Sequence, residues 1–311
     1  MATLNTTPDS FSDGGKNNSI AAAVQYSLQA ETASADIIDV GGFSTRPGST
    51  TISEQEEISR TVPYIAAVRE AGLRLPISID TFRAGVAKDC LEAGANCIND
   101  VYALTGPHVD VAGTTQQDVV KDELDVSVTD GDSILKLASH SKVPVIMMHS
   151  RGLANSNKDY SSFTGGVLEG VRAELGLRVA RALKAGVRRW NIVLDPGIGF
   201  SKSVDDNVRL VRDHADLTRL EASTQRAELS LPSSPNLTLA NFATLVGTSR
   251  KGYLGQLLER EEAIKDAQSR DWGTAASVTA LIQQKVDVVR VHHVQAMRDV
   301  VKVADAIWRN Q

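Results

Sequence analysis

Polar side chains recur at one kind of place in this chain, directly behind a short apolar run. Asn5 follows Ala2-Thr3-Leu4, Asp39 follows Ile37-Ile38, Asp80 follows Ile77-Ser78-Ile79, and Asn99-Asp100 follow Cys97-Ile98. Further along, Met148-His149, Asp195, Ser249-Arg250-Lys251 and Arg290-Val291-His292-His293 stand in the same relation to later apolar runs. One such acid is ordinarily a helix cap or a turn former. Eight in register predict one polar pocket. Asp80, Asn99 and Asp195 offer acceptors and an amide, suited to a flat heterocycle whose edge presents N–H groups and ring nitrogens. Arg46, Lys251, Arg290 and His292 supply cations suited to a phosphate or diphosphate. The expected ligand is base-like at one end and anionic at the other. No Ser/His/Asp or Cys/His arrangement for nucleophilic catalysis stands out.

These residues need a frame that brings eight strand ends together. Short apolar runs at 3–5, 37–40, 77–80, 97–99, 143–148, 192–195, 243–246 and 288–291 predict strands. Amphipathic stretches at 19–34, 53–71, 83–93, 132–141, 167–186, 204–220, 272–285 and 294–309 predict the helices between them. Eight strand–helix pairs in succession predict an α/β protein, a (β/α)8 TIM barrel rather than an open doubly wound sheet. In such a barrel the C-terminal strand ends and the loops behind them form the active site. The whole chain, 1–311, reads as a single domain.

Two stretches break the rhythm, about 104–131 with six acids and one lysine, and 221–241 rich in Ser, Thr, Asn and Pro. Both read as solvated surface insertions. Two polar loops are different: 6–15 carries Phe11, and 41–48 carries Phe43, Thr45, Arg46 and Pro47 among small residues. They are expected to close over a substrate and exclude water. With 33 basic against 38 acidic residues, the net charge of −5 leaves no footprint for nonspecific nucleic-acid or anionic-membrane binding. No apolar run approaches the roughly 18 residues that span a bilayer. The two cysteines, Cys90 and Cys97, read as buried thiols in a reducing compartment. The chain opens directly in its first predicted strand, which predicts a domain of a longer polypeptide.

At this point the motifs resemble a known family. Asn5-x-Thr-Pro-Asp-Ser-Phe-Ser-Asp-Gly-Gly, Asp39-Val-Gly-Gly-x-Ser-Thr-Arg-Pro-Gly, Asn99-Asp100, Leu194-Asp195-Pro196-Gly197-Ile198-Gly199-Phe200, Ser249-Arg250-Lys251 and Arg290-Val291-His292 occur in order. Together they resemble the dihydropteroate synthases, over residues 2 to about 305. The resemblance implies condensation of 4-aminobenzoate with 6-hydroxymethyl-7,8-dihydropterin diphosphate, giving 7,8-dihydropteroate and diphosphate, with Mg²⁺ as the cofactor. By the same carry-over Asn5 helps hold the metal–diphosphate unit. Arg290 and His292 cradle the diphosphate, and Arg46 joins them on closure. Asp80, Asn99 and Asp195 read the pterin edge, with Lys251 over its ring and Met147 against it. Thr45, Pro47, Phe200 and Ser249 shape the aminobenzoate site, with Phe11 above. Lys251, Asp80, Asp195, Arg290 and His292 are the catalytic set.

Without the family, Met147 in its apolar run reads as plain core. His140 and His214 lie in helical stretches and read as surface residues, and His149 is given no catalytic role. Phe43, His293 and Thr6 depart from the family's usual residues without removing a cation or a pterin-reading group. A homodimer through the last helices is expected, in the cytoplasm, or in the mitochondrial matrix if the chain derives from a longer eukaryotic polypeptide fused to other folate domains. Two alternatives remain at this level: a pterin-binding methyltransferase domain, and an inactive scaffold module.

Overall fold

The strands are short, and each gives the barrel wall only a few residues. In the computed structural model, which describes residues 1–6, 20–43, 52–106, 133–152, 157–218 and 239–309, none exceeds four residues. The order is β1 (Ala2–Asn5), α1 (Ile20–Thr32), β2 (Ile38–Gly41), α2 (Glu54–Glu70), β3 (Ile77–Asp80), α3 (Ala84–Glu92), β4 (Cys97–Asp100), α4 (Ser133–Ser141), β5 (Val145–Met148) and α5 (Val167–Lys184). It continues with β6 (Ile192–Asp195), α6 (Val204–Arg212), α7 (His214–Leu217), β7 (Ala243–Val246), α8 (Gly252–Leu258), α9 (Glu261–Lys265), α10 (Asp271–Gln283), β8 (Val288–Val289) and α11 (Val294–Trp308). All neighbours pair in parallel, in sequence order from β1 to β8. The ring closes where Val291 N donates to Met1 O (3.0 Å) and Thr3 N donates to Val291 O (3.0 Å). This is the (β/α)8 barrel.

Alternation along each strand divides the side chains between two cores. Ala2, Leu4, Ile38, Val40, Ile77 and Ile79 face outward and pack beneath the helices. The opposite set faces the barrel axis. Ile37, Cys97, Ile146, Val193, Leu245 and Val288 close its lower end around Met1. Above that apolar plug the inward positions turn polar, which is where the ligand site begins.

Several boundaries differ from the sequence reading. β5 starts at Val145 because Pro144 has no N–H to give; its carbonyl instead accepts from Ile98 N (3.0 Å). The helix expected over 204–220 breaks at Asp213 (φ −109°) into α6 and α7. α8 and α9 were not expected; they fill the link between β7 and α10. His214 is buried, not on the surface, its ring nitrogen 3.1 Å from Thr244 Oγ1. Most of the two insertions lies outside the described residues. Their described ends belong to the core, with Leu104, Leu239 and Ala240 all buried. Among the described residues no helix is long and apolar enough to cross a membrane.

Candidate active site

The centre of the barrel mouth is one guanidinium between two carboxylates. Arg290 follows β8 and points inward, where its Nη1 meets Asp39 Oδ2 at 2.5 Å and Asp80 Oδ2 at 3.2 Å. Nε and Nη2 of Arg290 pass beside Gly247, where a Cβ would make only ordinary van der Waals contact, 3.4 Å from Nε. Asp39 also accepts from Asn99 Nδ2 through both its oxygens, at 3.2 and 3.1 Å. Facing a carboxylate, the amide must present its NH₂, which leaves Asn99 Oδ1 as an acceptor for a ligand.

Two acids on one base, mostly out of water, leave an excess of negative charge. Burial and the charge of Asp39 push the Asp80 carboxyl up to about 7, against the pull of Arg290. The same two acids hold Arg290 firmly protonated despite its burial. Asp195, at the end of β6, is also pushed up by burial, held back by the Gly197 N–H, Arg290, Lys251 and Lys202. Its Oδ1 accepts from Gly197 N at 2.7 Å. Gly197 has φ +70°, and a Cβ would fall 1.9 Å from the carbonyl of His149, so this turn accepts glycine alone.

Further cations line the mouth. Lys251 precedes α8, and its ammonium lies 4.4 Å from the centre of the Phe200 ring, a cation–π seat. Gly199 (φ +82°) makes room for the lysine stem. Ser249 Oγ accepts from His292 N (3.2 Å) and lies 3.0 Å from His292 Nδ1. With one proton and two lone pairs, the Ser249 hydroxyl can pair with Nδ1 in either imidazole tautomer while accepting the His292 N–H. Ser249 is therefore a buried support of His292. Asn5 ends β1, its Oδ1 beside Gly41 and near Asp80.

One expected contact is corrected. Met147 is fully buried in the outer core, with Ile98, Val145 and Leu194. Met148 takes the inward position and joins Val101, Tyr102, Phe82 and Phe200 in an apolar wall at the mouth. The strand register shows why: Met148 pairs with Asp195, so both face the same way. Thr45, Arg46, Pro47 and Phe11 lie outside the described residues. Phe43, at the entry to that second loop, packs edge-on to Phe82 (6.0 Å) under Arg83 (5.4 Å). Thr6 donates to Gly41 O (3.2 Å), and His293 turns outward to Asp271 (3.6 Å), so neither departure touches the pocket floor.

Two participants were not singled out from the sequence. Asp39 was recognised as a strand-end acid but not as the group that orients Asn99 and Arg290. Met148 was legible in principle, because counting by two from Ile146 reaches it and not Met147.

Among the described residues no group of three or more His, Cys, Asp or Glu could hold a metal.

Comparison with known proteins gives this site a context. A family described as pterin binding enzyme matches residues 1–292. The dihydropteroate synthase of Synechocystis is 38% identical over 309 residues, covering 99% of this chain and 90% of that protein. A mitochondrial bifunctional folate synthesis protein of Arabidopsis thaliana is 38% identical over 316 residues, all of this chain but 50% of that protein. The chain thus spans about half the length of this plant relative. The solved structure of Xanthomonas albilineans dihydropteroate synthase with 4-aminobenzoic acid superposes with a TM-score of 0.77 at 31% identity, covering 100% of this chain and 93% of that one. The chain belongs to the pterin-binding enzyme family and, within it, to the dihydropteroate synthases.

Proposed function

We propose that the whole chain acts as one synthase barrel, joining 4-aminobenzoate to 6-hydroxymethyl-7,8-dihydropterin diphosphate and releasing diphosphate. The observation that carries this reading is the guanidinium of Arg290 held between Asp39 and Asp80 at the strand ends. Asp80, Asp195 and Asn99 Oδ1 accept from the pterin edge. Their negative charge favours electron release from the ring as the exocyclic C–O bond to diphosphate breaks, and the neutral arylamine nitrogen then attacks that carbon. No strong base is needed. Arg290 and His292 meet the charge growing on the diphosphate. Lys251 lies over the ring, on Phe200, while Met148 and Phe82 exclude water from the other side.

Mg²⁺ bound with the diphosphate, with Asn5 as its protein ligand, would supply further positive charge at the leaving group. Arg46 is assigned to the diphosphate, and Thr45, Pro47, Phe200 and Phe11 to the aminobenzoate, on family resemblance. Incubation with both substrates and Mg²⁺ is expected to give dihydropteroate and diphosphate in equal amounts. Absence of both products in a folded sample would overturn the reading and leave the scaffold alternative.

The native protein is assigned to the cytoplasm or the mitochondrial matrix, alone or fused to other folate enzymes. It is further expected to be a homodimer, since Trp272 on α10 and Val303, Ile307 and Trp308 on α11 stand 84%, 61%, 50% and 43% exposed. Light scattering at micromolar concentration should return twice the chain mass; a monomer would refute the assembly.

A further inference from the structure

Beneath the pocket floor, buried charged side chains join two segments that the reaction uses only at their surfaces. Lys202, seven residues beyond Asp195 and 4% exposed, points back under its own loop. Its ammonium donates to the carbonyl of Phe200 (2.9 Å) and to His149 Nδ1 (3.0 Å). An ammonium only donates, so His149 Nδ1 is an acceptor and its proton sits on Nε2, 2.7 Å from Glu174 Oε2. Arg151 closes the set, with Nη2 2.6 Å from Glu174 Oε1 and its backbone N donating to Ser201 Oγ (3.1 Å). Phe200 and Ser201 are thereby fixed to the exit of β5.

We infer that Lys202 is a positioning residue of the synthase reaction, setting the Phe200 ring on which Lys251 rests and holding a positive charge beneath Asp195. This rests on the function proposed above. Stability alone explains the arrangement poorly. An apolar side chain of similar length would fill the site without burying an ammonium, and buried ion pairs are inefficient stabilisers. The position has a chemical consequence instead. Lys202 is one of the cations that hold the Asp195 carboxyl down against its burial. The charges that act most on Lys202 are Glu174 on α5, Asp195 at the end of β6, Arg151 after β5 and Asp206 in α6, and its ammonium meets His149 after β5. Burial brings the Lys202 ammonium itself down to about 7, opposed by Glu174 and Asp195. His149 stays neutral, its pKa lowered by burial to about 3.

The test is Lys202→Met beside Lys202→Gln, with kcat and KM for both substrates measured from pH 5.5 to 9. The methionine variant loses the donor and the charge; the glutamine variant keeps a donor and loses only the charge. Lys202→Met is expected to lower kcat/KM for the pterin diphosphate about 10- to 100-fold at pH 6, where the Lys202 ammonium carries its proton. Lys202→Gln should fall less. In both, the acid limb of that profile moves to higher pH, because Asp195 has lost a cation; a purely structural lysine would not move it. Folded variants with an unmoved limb and wild-type kcat/KM overturn the proposal. Failure of both variants to fold assigns Lys202 to stability and also overturns it. A wild-type chain that makes no dihydropteroate sinks the synthase reading itself, whereas an active wild type with indifferent variants sinks only the role of Lys202.

Discussion

Arg290→Met is expected to abolish turnover and to lower the melting temperature by on the order of 10 °C at pH 8. The guanidinium is the only partner through which Asp39 and Asp80 meet a positive charge in the described ion pairs, and Asp39 is 1% exposed. Removing one member of a buried pair leaves an uncompensated charge, at a cost of about 3–5 kcal/mol. In a barrel of this size each kcal/mol lost is worth roughly 2–4 °C. Asn99 loses its orientation too, because its carboxylate partner is no longer held. The damage should depend on pH in a defined direction. Without Arg290 the Asp80 carboxyl, already raised by burial and by the charge of Asp39, loses the cation that pulls it down and binds its proton more tightly in the folded barrel than in the unfolded chain. Stability of the variant therefore recovers as pH falls from 8 towards 5, where Asp80 becomes neutral. Thermal unfolding across that range, with diphosphate binding by calorimetry, checks both parts. Wild-type stability at pH 8 together with retained diphosphate binding would refute the central role of Arg290.

The legible part of this architecture was the part written in local pattern. Strands β3, β6 and β7 begin and end where their apolar runs do, since each run is bounded by a turn or a polar strand end. The polar residues at those ends were recognisable for the same reason. Partnership was not legible. Asp39 and Arg290 are separated by 251 positions and meet only because β8 closes against β1. Facing was legible only with an anchor. Met147 and Met148 are identical side chains in one strand, and the pairing of Met148 with Asp195 decides which of them reaches the pocket. His214 failed for a different reason, because a helical position says nothing of which face is covered until Thr244 arrives from β7. Lys202 carried no signal at all. A lysine after a glycine-rich turn reads as solvated, and only the fold of that turn over His149 buries it.

Asp80→Asn is expected to separate activity from stability in opposite directions. The carboxyl stands at about 7 in the free enzyme because burial and Asp39 push it up, more than Arg290 pulls it down. Its unfolded value is near 3.9. A folded-state pKa raised in this way favours the fold when the group is protonated, fully below about pH 4, and that benefit is lost as pH rises through 7. An asparagine carries no charge at any pH, so the variant should melt at or above the wild-type temperature at pH 8. Activity should move the other way. The carboxylate accepts from pterin N–H groups and adds negative charge where the ring becomes electron-poor, and hydrogen bonds to a charged group are worth about 1.5–3 kcal/mol. Losing one predicts a fall of roughly 10- to 100-fold in kcat/KM for the pterin diphosphate. The wild-type profile supplies the control. Its kcat/KM should drop about tenfold per pH unit below 7 as Asp80 takes up its proton, and the Asn variant should lack that component of the limb. A variant that melts well below wild type at pH 8 would show that the Asp80 carboxylate stabilises the barrel. Arg290 would then be the dominant charge on Asp80, not the lesser one.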